Sequence, residues 1–485
     1  MKSGLSFICL VMSLTALADP FSVTLWRGER RVTHIPDYTE LGEDPAGITV
    51  RRGVLKGVKY RSHPYYLGIA ETYDRVEWDT EIGGPRLAEI YVPAETKPGV
   101  YTCGLMDIKV IDRVMPPPEE WKYYLDLWQH PWAVSRIEKV KPFSREHYAA
   151  MRQVYELLAT AGQKTLTVTL VDRAWNHQCR DAYGTMIGRV KRADGSWKFD
   201  YSLFDEYVEF GKSCGLGPHI ACYTMCPWGN RVSWQDESGK TVWVEAPPGS
   251  KEFKDFWGDF LVDFSAHLKA KGWYEDTYIA MDERKPEDVK IIADFIQEKS
   301  PGMKIAMAGN CNPSKFKGIQ IDNYSQYIEH LTPEFLAELD ERRAKGFLTT
   351  YYVCCGPEFP NTFLTSKPYE NFWVGVYPGI VRLDGFLRWA WNSWGEDPLL
   401  DASFRDWRAG DVFLVYPKGA ASYRFLELRN GIAAAEKLRI LRERKMFLSE
   451  IAELEKKFNL KEALGNRADF MKLKADVLKV VNKEK

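Results

Sequence analysis

Hydrophobic and polar positions change their rhythm twice along this chain. Over residues 19–115, apolar runs are short, at 48–51, 65–69, 87–92 and 100–114, and are divided by Gly, Pro and charged turns. No stretch there repeats every 3.6 residues. Short β-rich runs with turn signals predict a β-sandwich. Met115-Pro116-Pro117-Pro118-Glu119-Glu120 follows. Consecutive prolines lack amide donors and hold an extended form, so this segment reads as a stiff linker.

Past the linker, buried strands alternate with amphipathic helices. Strands are predicted at 123–128, 165–171, 219–224, 277–281, 304–308, 319–323, 347–354 and 384–391. Helices are predicted at 144–162, 204–212, 253–270, 287–298, 332–346 and 368–376. Ser144 and Thr332 supply N-caps, Pro333 a first-turn proline and Gly346 a stop. Eight β/α units in about 300 residues fit a (β/α)8 TIM-type barrel, assigned to residues 121–423. An open doubly wound sheet is the alternative fold. Neither a GxGxxG after a strand nor a P-loop is present, which weakens its nucleotide-binding versions. Residues 424–485 carry helical apolar stripes, such as Ile432, Ala435, Leu438 and Leu441. They are expected to pack on the barrel as a C-terminal helical segment, a partner-binding helix being the other reading.

The first residues carry Lys2, an apolar run over 5–17 and the small-residue site Ala16-Leu17-Ala18. This predicts a cleaved signal peptide over residues 1–18 and a periplasmic or secreted protein. No later stretch reaches the length of a membrane span, so no transmembrane segment is expected in the mature chain.

Composition narrows the function. Lys plus Arg number 66 against 67 Asp plus Glu, a net charge of −1, which excludes a polybasic nucleic-acid binder. Aromatics make up 14%, with 17 Trp. A chain this long buries a large core without them, so some are free to line a site. Of nine cysteines, Cys9 lies in the leader. The remaining eight are too sparse for a disulfide scaffold, and their pairing is not legible from sequence. There is no CxxC or HxxxH, and Cys222 and Cys226 are followed by Pro227, so neither metal nor cofactor is expected. Cys354-Cys355 reads either as two packed thiols or as an adjacent-residue disulfide.

The informative segment is Thr277 to Arg284, where an apolar strand ends in Asp282-Glu283. The C-terminal strand ends of a barrel form its active face. Asp-Glu also occurs at Asp205-Glu206, Asp236-Glu237 and Asp340-Glu341, on polar helix faces or in a polar loop. Only Asp282-Glu283 caps a buried strand, where ionised groups are costly unless they serve a function. Glycoside hydrolysis is such a function. An acid protonates the leaving oxygen, and a second carboxylate acts as nucleophile or base. Adjacent acids also suit a substrate-assisted variant. There a sugar 2-acetamido oxygen attacks the anomeric carbon, one carboxylate orients the acetamido group, and the next residue is the acid/base. The other reading is a strand-end ion pair with Arg284 or Lys285.

The wider context resembles glycoside hydrolase family 123. The resemblance rests on Trp273-Tyr274 with Tyr278-Ile279-Ala280-Met281-Asp282-Glu283-Arg284, and on Thr349-Thr350-Tyr351-Tyr352-Val353-Cys354-Cys355. It rests also on Pro360-Asn361-Thr362-Phe363, on Asp384-Gly385-Phe386-Leu387-Arg388-Trp389-Ala390-Trp391-Asn392-Ser393-Trp394 and on Gly410-Asp411-Val412-Phe413-Leu414-Val415-Tyr416-Pro417. The family comprises exported bacterial β-N-acetylgalactosaminidases with a β-sandwich followed by a barrel. The resemblance implies a retaining, substrate-assisted mechanism, with Asp282 as the stabilising carboxylate and Glu283 as the acid/base.

Substrate contacts are expected from aromatics. Trp389 and Trp391 share strand parity, so both are expected to stack on the apolar face of a galactose-type ring, or else to pack outward together. Trp394 is expected at the mouth, with Arg388 and Asn392 as pocket or surface groups. Tyr352, rather than Tyr351, is expected to turn its hydroxyl to the acetamido carbonyl. Trp175, Asn176, His177 and Tyr223 are candidates because they follow or end barrel strands. Two further readings stay open. One is a glycosidase of other specificity that pairs Glu283 with a distant acid such as Glu358 or Glu396. The other is a non-catalytic carbohydrate-binding protein, for which an intact acid pair is unnecessary.

Overall fold

The computed structural model describes residues 20–61, 68–458 and 467–484. The expected signal peptide, and most of the apolar run expected at 65–69, lie outside them. Seven strands precede the linker: β1 (Phe21–Arg27), β2 (Arg30–His34), β3 (Thr49–Arg61), β4 (Ile69–Trp78), β5 (Arg86–Tyr91), β6 (Gly99–Cys103) and β7 (Met106–Val114). They form two sheets, ordered β1-β7-β6 and β2-β5-β3-β4. Alternation turns Val23, Leu25 and Val110 of one sheet towards Val50, Ala88 and Ile90 of the other, in a core of their own.

The following strands are β8 (Tyr124–Leu127), β9 (Thr165–Thr169), β10 (Gly188–Lys191), β11 (Trp197–Asp200), β12 (His219–Tyr223), β13 (Arg231–Asp236), β14 (Thr241–Glu245), β15 (Thr277–Met281), β16 (Lys304–Gly309), β17 (Asn323–Tyr327), β18 (Leu348–Tyr352) and β19 (Gly385–Arg388). Eight of them form one parallel sheet, ordered β8-β19-β18-β17-β16-β15-β12-β9. A parallel sheet is covered on both faces, and β8, β9 and β15 are buried at every residue. At the β19–β8 contact only glycine fits: a Cβ on Gly385 would stand 1.8 Å from the Tyr124 carbonyl oxygen.

The last gap, between β8 and β9, is closed largely by side-chain amides. Leu127 N–H donates to Gln163 Oε1 at 3.0 Å, and Gln163 Nε2 donates to the Leu127 and Thr165 carbonyls. Gln129 Oε1 accepts the Thr167 N–H at 2.9 Å, while its Nε2 donates to the same two carbonyls. Both glutamines are fully buried. Each amide carries the donor and acceptor of a peptide unit, so together they splice a ladder that the backbones alone leave incomplete.

Several expected elements move. The strand expected at 319–323 is β17, Asn323–Tyr327. The apolar Ile319 and Ile321 only lead into it, and the strand itself buries Ser325 and Gln326 among the barrel strands. Gln326 Nε2 donates to the Gly309 carbonyl at 3.0 Å, which is why a polar run is tolerated there. The strand expected to reach residue 391 stops at Arg388. The helix expected over 332–346 is two, Pro333–Ala337 and Leu339–Ala344, the first capped by Thr332. A four-stranded sheet, β11-β10-β13-β14, was not expected from the sequence. Its short, charge-rich strands rise from the loops after β9 and β12.

The helix Tyr423–Glu443 packs on the barrel helix Pro368–Val381. Buried ion pairs tie it also to the N-terminal strands: Asp74–Arg424 at 3.1 Å, Glu89–Arg429 at 2.6 Å and Glu29–Lys437 at 2.6 Å. Among the described residues no helix is long and apolar enough to cross a membrane. The barrel seam yields a prediction. Gln163→Met strands the buried Leu127 N–H and is expected to cost about 1–3 kcal/mol. Urea unfolding measures it, and an unchanged midpoint would contradict the role given to the amide.

Candidate active site

β15 is apolar and wholly buried, and the chain leaves it directly into Asp282 and Glu283. Both side chains emerge at the C-terminal rim of the barrel, in the wall of a cavity open to solvent.

The two carboxylates have different partners. Asp282 Oδ2 accepts the indole N–H of Trp228 at 3.0 Å. Glu283 Oε1 accepts the hydroxyl of Tyr352 at 2.5 Å, and its Oε2 accepts Asn310 Nδ2 at 2.8 Å. Asn310 directly follows β16. A Cβ on the preceding Gly309 would stand 2.2 Å from the Tyr324 hydroxyl, so glycine lets that ring cross the strand end.

The alternative reading, a strand-end ion pair, is not realised by Arg284. Its Nε donates to the Cys226 carbonyl at 2.9 Å and its Nη1 to the Glu283 carbonyl at 2.8 Å. The guanidinium lies over the Trp228 ring, 4.3 Å from its centroid. Arg284 therefore braces the backbone and the tryptophan that holds Asp282. Burial pushes the Glu283 carboxyl above its usual range, and the charge of Asp282 adds to the shift. The Tyr352 and Asn310 donors and, last, the charge of Arg284 pull the other way without cancelling it.

Aromatic rings shape the rest of the cavity. Trp389 lines it beside Trp407, with ring centroids 5.4 Å apart, and Trp128 and Trp228 add further walls. Trp175 and Tyr223 pack behind Trp128, at 5.2 and 4.6 Å between centroids, and do not themselves line the cavity. They support the wall rather than form it. Tyr352 lines the cavity, whereas Tyr351 points away and donates its hydroxyl to the Val374 carbonyl at 2.7 Å.

The aromatic reading of the last strand needs correction. Trp391 is fully buried against Phe425 and donates its N–H to the Val154 carbonyl at 3.3 Å. Trp394 is buried as well, donating to the Val415 carbonyl at 2.6 Å. Strand parity does not carry past Arg388, where β19 ends, so Trp389 and Trp391 part company. Arg388 is neither a pocket nor a surface group: it is fully buried on Asp411 at 2.6 Å. Asn392 exchanges two hydrogen bonds with the His130 backbone, at 2.8 and 2.9 Å. Asn176 and His177 are exposed and off the cavity wall.

Glu358 and Glu396 make surface ion pairs, with Arg408 at 3.3 Å and Arg180 at 2.6 Å. Among the described residues, Asp282 and Glu283 are the carboxylates lining the cavity. Sequence reasoning missed Trp128, Trp228, Asn310 and Trp407. The first three were within reach of the strand-end rule, since they stand one to five residues past β8, β12 and β16. Trp407 lies on a long loop and left no such signal.

The family model described as the glycoside hydrolase 123 catalytic domain matches residues 128–441. No curated protein matches the chain significantly. Among solved structures, a family 123 glycoside hydrolase from Clostridium perfringens, described for its hydrolysis of glycolipid glycans, is 25% identical. It superposes with a TM-score of 0.80 over 95% of this chain and 92% of that one. A maltogenic α-amylase from Thermotoga neapolitana is far more distant, at 11% identity and a TM-score of 0.38 over 65% of this chain and 77% of its own.

The raised Glu283 carboxyl makes stability depend on pH. The unfolded chain ionises this group near 4.5, while the folded chain keeps its proton to higher pH. The folded state therefore binds more protons in that window, and stability falls as pH rises through it, levelling above the folded value. Glu283→Gln removes the effect. Its melting temperature relative to the parent protein is expected to climb from about pH 4.5 upward and then level. A difference that stays flat across that range would contradict the shift.

Proposed function

This chain belongs to glycoside hydrolase family 123, and we propose that it releases terminal β-linked N-acetylgalactosamine from glycans or glycolipids with retention of configuration. The observation that carries this reading is the cavity's acid set. Two adjacent carboxylates line it, Asp282 against a neutral N–H donor and Glu283 shifted towards its protonated form, and among the described residues no cation pairs with either. The Clostridium perfringens relative's action on glycolipid glycans supports the same substrate class. The signal peptide expected at residues 1–18 would agree with action outside the cytoplasm.

In the proposed first step, Glu283 gives its proton to the glycosidic oxygen as the C1–O bond breaks. The substrate's acetamido oxygen bonds to C1 from the opposite face, closing an oxazolinium ring. Asp282 accepts the acetamido N–H and balances the positive charge that develops on the ring. Glu283, now ionised, takes a proton from water, and that water attacks C1 and reopens the ring. Two inversions give net retention. Trp389 and Trp407 offer apolar rings to the sugar's C–H face. Tyr352 donates to Glu283 while it is ionised. Once Glu283 holds the proton, that hydroxyl is available to the acetamido carbonyl.

Chromogenic β-GalNAc, β-GlcNAc and β-galactose substrates test the reading. Turnover of the acetamido sugars, β-GalNAc foremost, is expected, with β-galactose inert. Glu283→Gln and Asp282→Asn are each expected to lower kcat by about 10²–10⁴. Comparable turnover of β-galactose would overturn the assisted mechanism. Loss on Glu283→Gln but not on Asp282→Asn would overturn the role of Asp282.

A further inference from the structure

The turn after β18 carries two adjacent thiols that the proposed hydrolysis does not use. Cys354 and Cys355 both line the cavity, and their Sγ atoms stand 3.8 Å apart. Cys355 is exposed and Cys354 half-buried, whereas Cys103, Cys179, Cys214, Cys222 and Cys226 are buried.

The backbone that presents the pair is firmly held. Arg388 Nη1 donates to the Val353 carbonyl at 3.2 Å, and Asn361 Nδ2 donates to the Cys354 and Pro357 carbonyls at 3.0 and 2.7 Å. Cys354 N–H closes the turn on the Gly356 carbonyl at 3.0 Å. Arg388 is itself fixed by the fully buried Asp411. The fold therefore fixes the backbone on which the two sulfurs meet.

That spacing suits a one-atom bridge. A direct S–S bond requires contraction to about 2.05 Å. A single thiophilic atom with bonds of about 2.3 Å, the length of a zinc–thiolate bond, spans 3.8 Å at a near-tetrahedral angle, and a pyramidal three-coordinate centre asks the sulfurs to close only slightly. Soft atoms are the ones thiolates select. The pair titrates as a unit: the Cys354 S–H holds the Cys355 thiol below its ordinary range, against burial and the charges of Asp411 and Glu283, while Cys354 itself is raised, so Cys355 is the thiol that attacks first.

We propose that Cys354 and Cys355 form a dithiol modification site in the wall of the sugar cavity, which takes trivalent organoarsenicals and so closes the cavity to substrate. The chemistry balances. An arsenoxide, R–As=O, meets two thiols; two As–S bonds form, both S–H bonds and the As=O bond break, and the two protons leave with the oxygen as one water. Nothing is oxidised or reduced. The bridging group then occupies the wall beside Glu283 and Trp389.

The blocking effect rests on the proposed glycosidase reading, but binding does not, so the two are measured separately. The reduced full-length protein is treated with phenylarsine oxide and followed by intact mass and peptide mapping. One arsenical per chain is expected, bridging Cys354 and Cys355, stable to excess monothiol and removed by a dithiol. Cys354→Ser and Cys355→Ser are each expected to lose that monothiol-resistant adduct, and Cys311→Ser to keep it. In the chromogenic assay, the bridged protein is expected to lose roughly tenfold or more in kcat/KM, regained with dithiol. An adduct mapped to other cysteines, or removed by monothiol, would overturn the site. An adduct at this pair that leaves kcat/KM unchanged would overturn the blocking. Absence of any glycosidase activity would count against the proposed function, while the mapping still decides the site.

Discussion

A barrel of parallel strands has to close, because each open edge leaves a row of buried N–H and C=O groups without partners. In this protein the closure between β8 and β9 rests on Gln129 and Gln163. Everything at the active rim depends on that closure. Trp128, which follows β8, stands against Trp175 and Tyr223, which come from beyond β9 and from the end of β12. If the seam opened, the aromatic wall of the cavity would lose its backing, and the rim that carries the carboxylates would lose its curvature. An amide side chain suits such a seam because it offers both halves of a peptide hydrogen-bonding unit without charge, and so bears complete burial at low cost.

The electrostatics of the site follow from what is kept away. A carboxylate at a buried strand end is usually neutralised by a cation, and Arg284 stands next in sequence. The fold turns that guanidinium onto the Cys226 and Glu283 carbonyls and over Trp228. The charge is thereby directed to backbone and ring, and Glu283 keeps only neutral donors. Facing the carboxylate directly, Arg284 would oppose burial and Asp282 more strongly than it does from its present place, and the proton would leave at lower pH. The same residue fixes Trp228, the donor on Asp282. One cation placed off the carboxylates therefore orients one acid and pulls only weakly on the other, so the Glu283 carboxyl stays above its usual range.

The sequence showed these features unevenly, for physical reasons. Long periodic elements and capped helices were legible, because burial on one face enforces a period and Ser144 or Thr332 marks a start. The acid pair was legible because two charged residues closing a wholly apolar strand is a local pattern. What failed was inference by parity across an element's end. Trp389 and Trp391 were given one face, yet β19 stops before both, and the chain then follows contacts with Trp128 and Phe413 rather than a pleat. Polar burial also misled. Asn323 to Tyr327 looks unlike a core strand until Gln326 finds the Gly309 carbonyl, a partner distant in sequence. Arg388 looked like a surface or pocket residue because its partner Asp411 comes from another loop.

Among the described residues the N-terminal sheets contribute none to the cavity lining, yet the cavity wall leans on them. The end of β3 runs alongside residues 401–403: the Lys59 carbonyl accepts the Ala402 N–H at 2.9 Å, and the Arg61 N–H donates to Ser403 Oγ at 2.8 Å. Arg61 Nε adds a bond to Asp401 at 2.7 Å. That loop continues to Trp407, whose ring meets Trp389 across the cavity wall. A loop of this length, with little regular structure of its own, has too few local contacts to hold an indole in one place. The strand edge supplies the missing hydrogen bonds, and the buried pairs Asp74–Arg424 and Glu89–Arg429 hold the sheet that carries it. Position therefore passes from the N-terminal sheet to a loop and from the loop to an aromatic wall, and the sheet is itself held by buried charges shared with the helix packed on the barrel rather than by a loose, solvated interface.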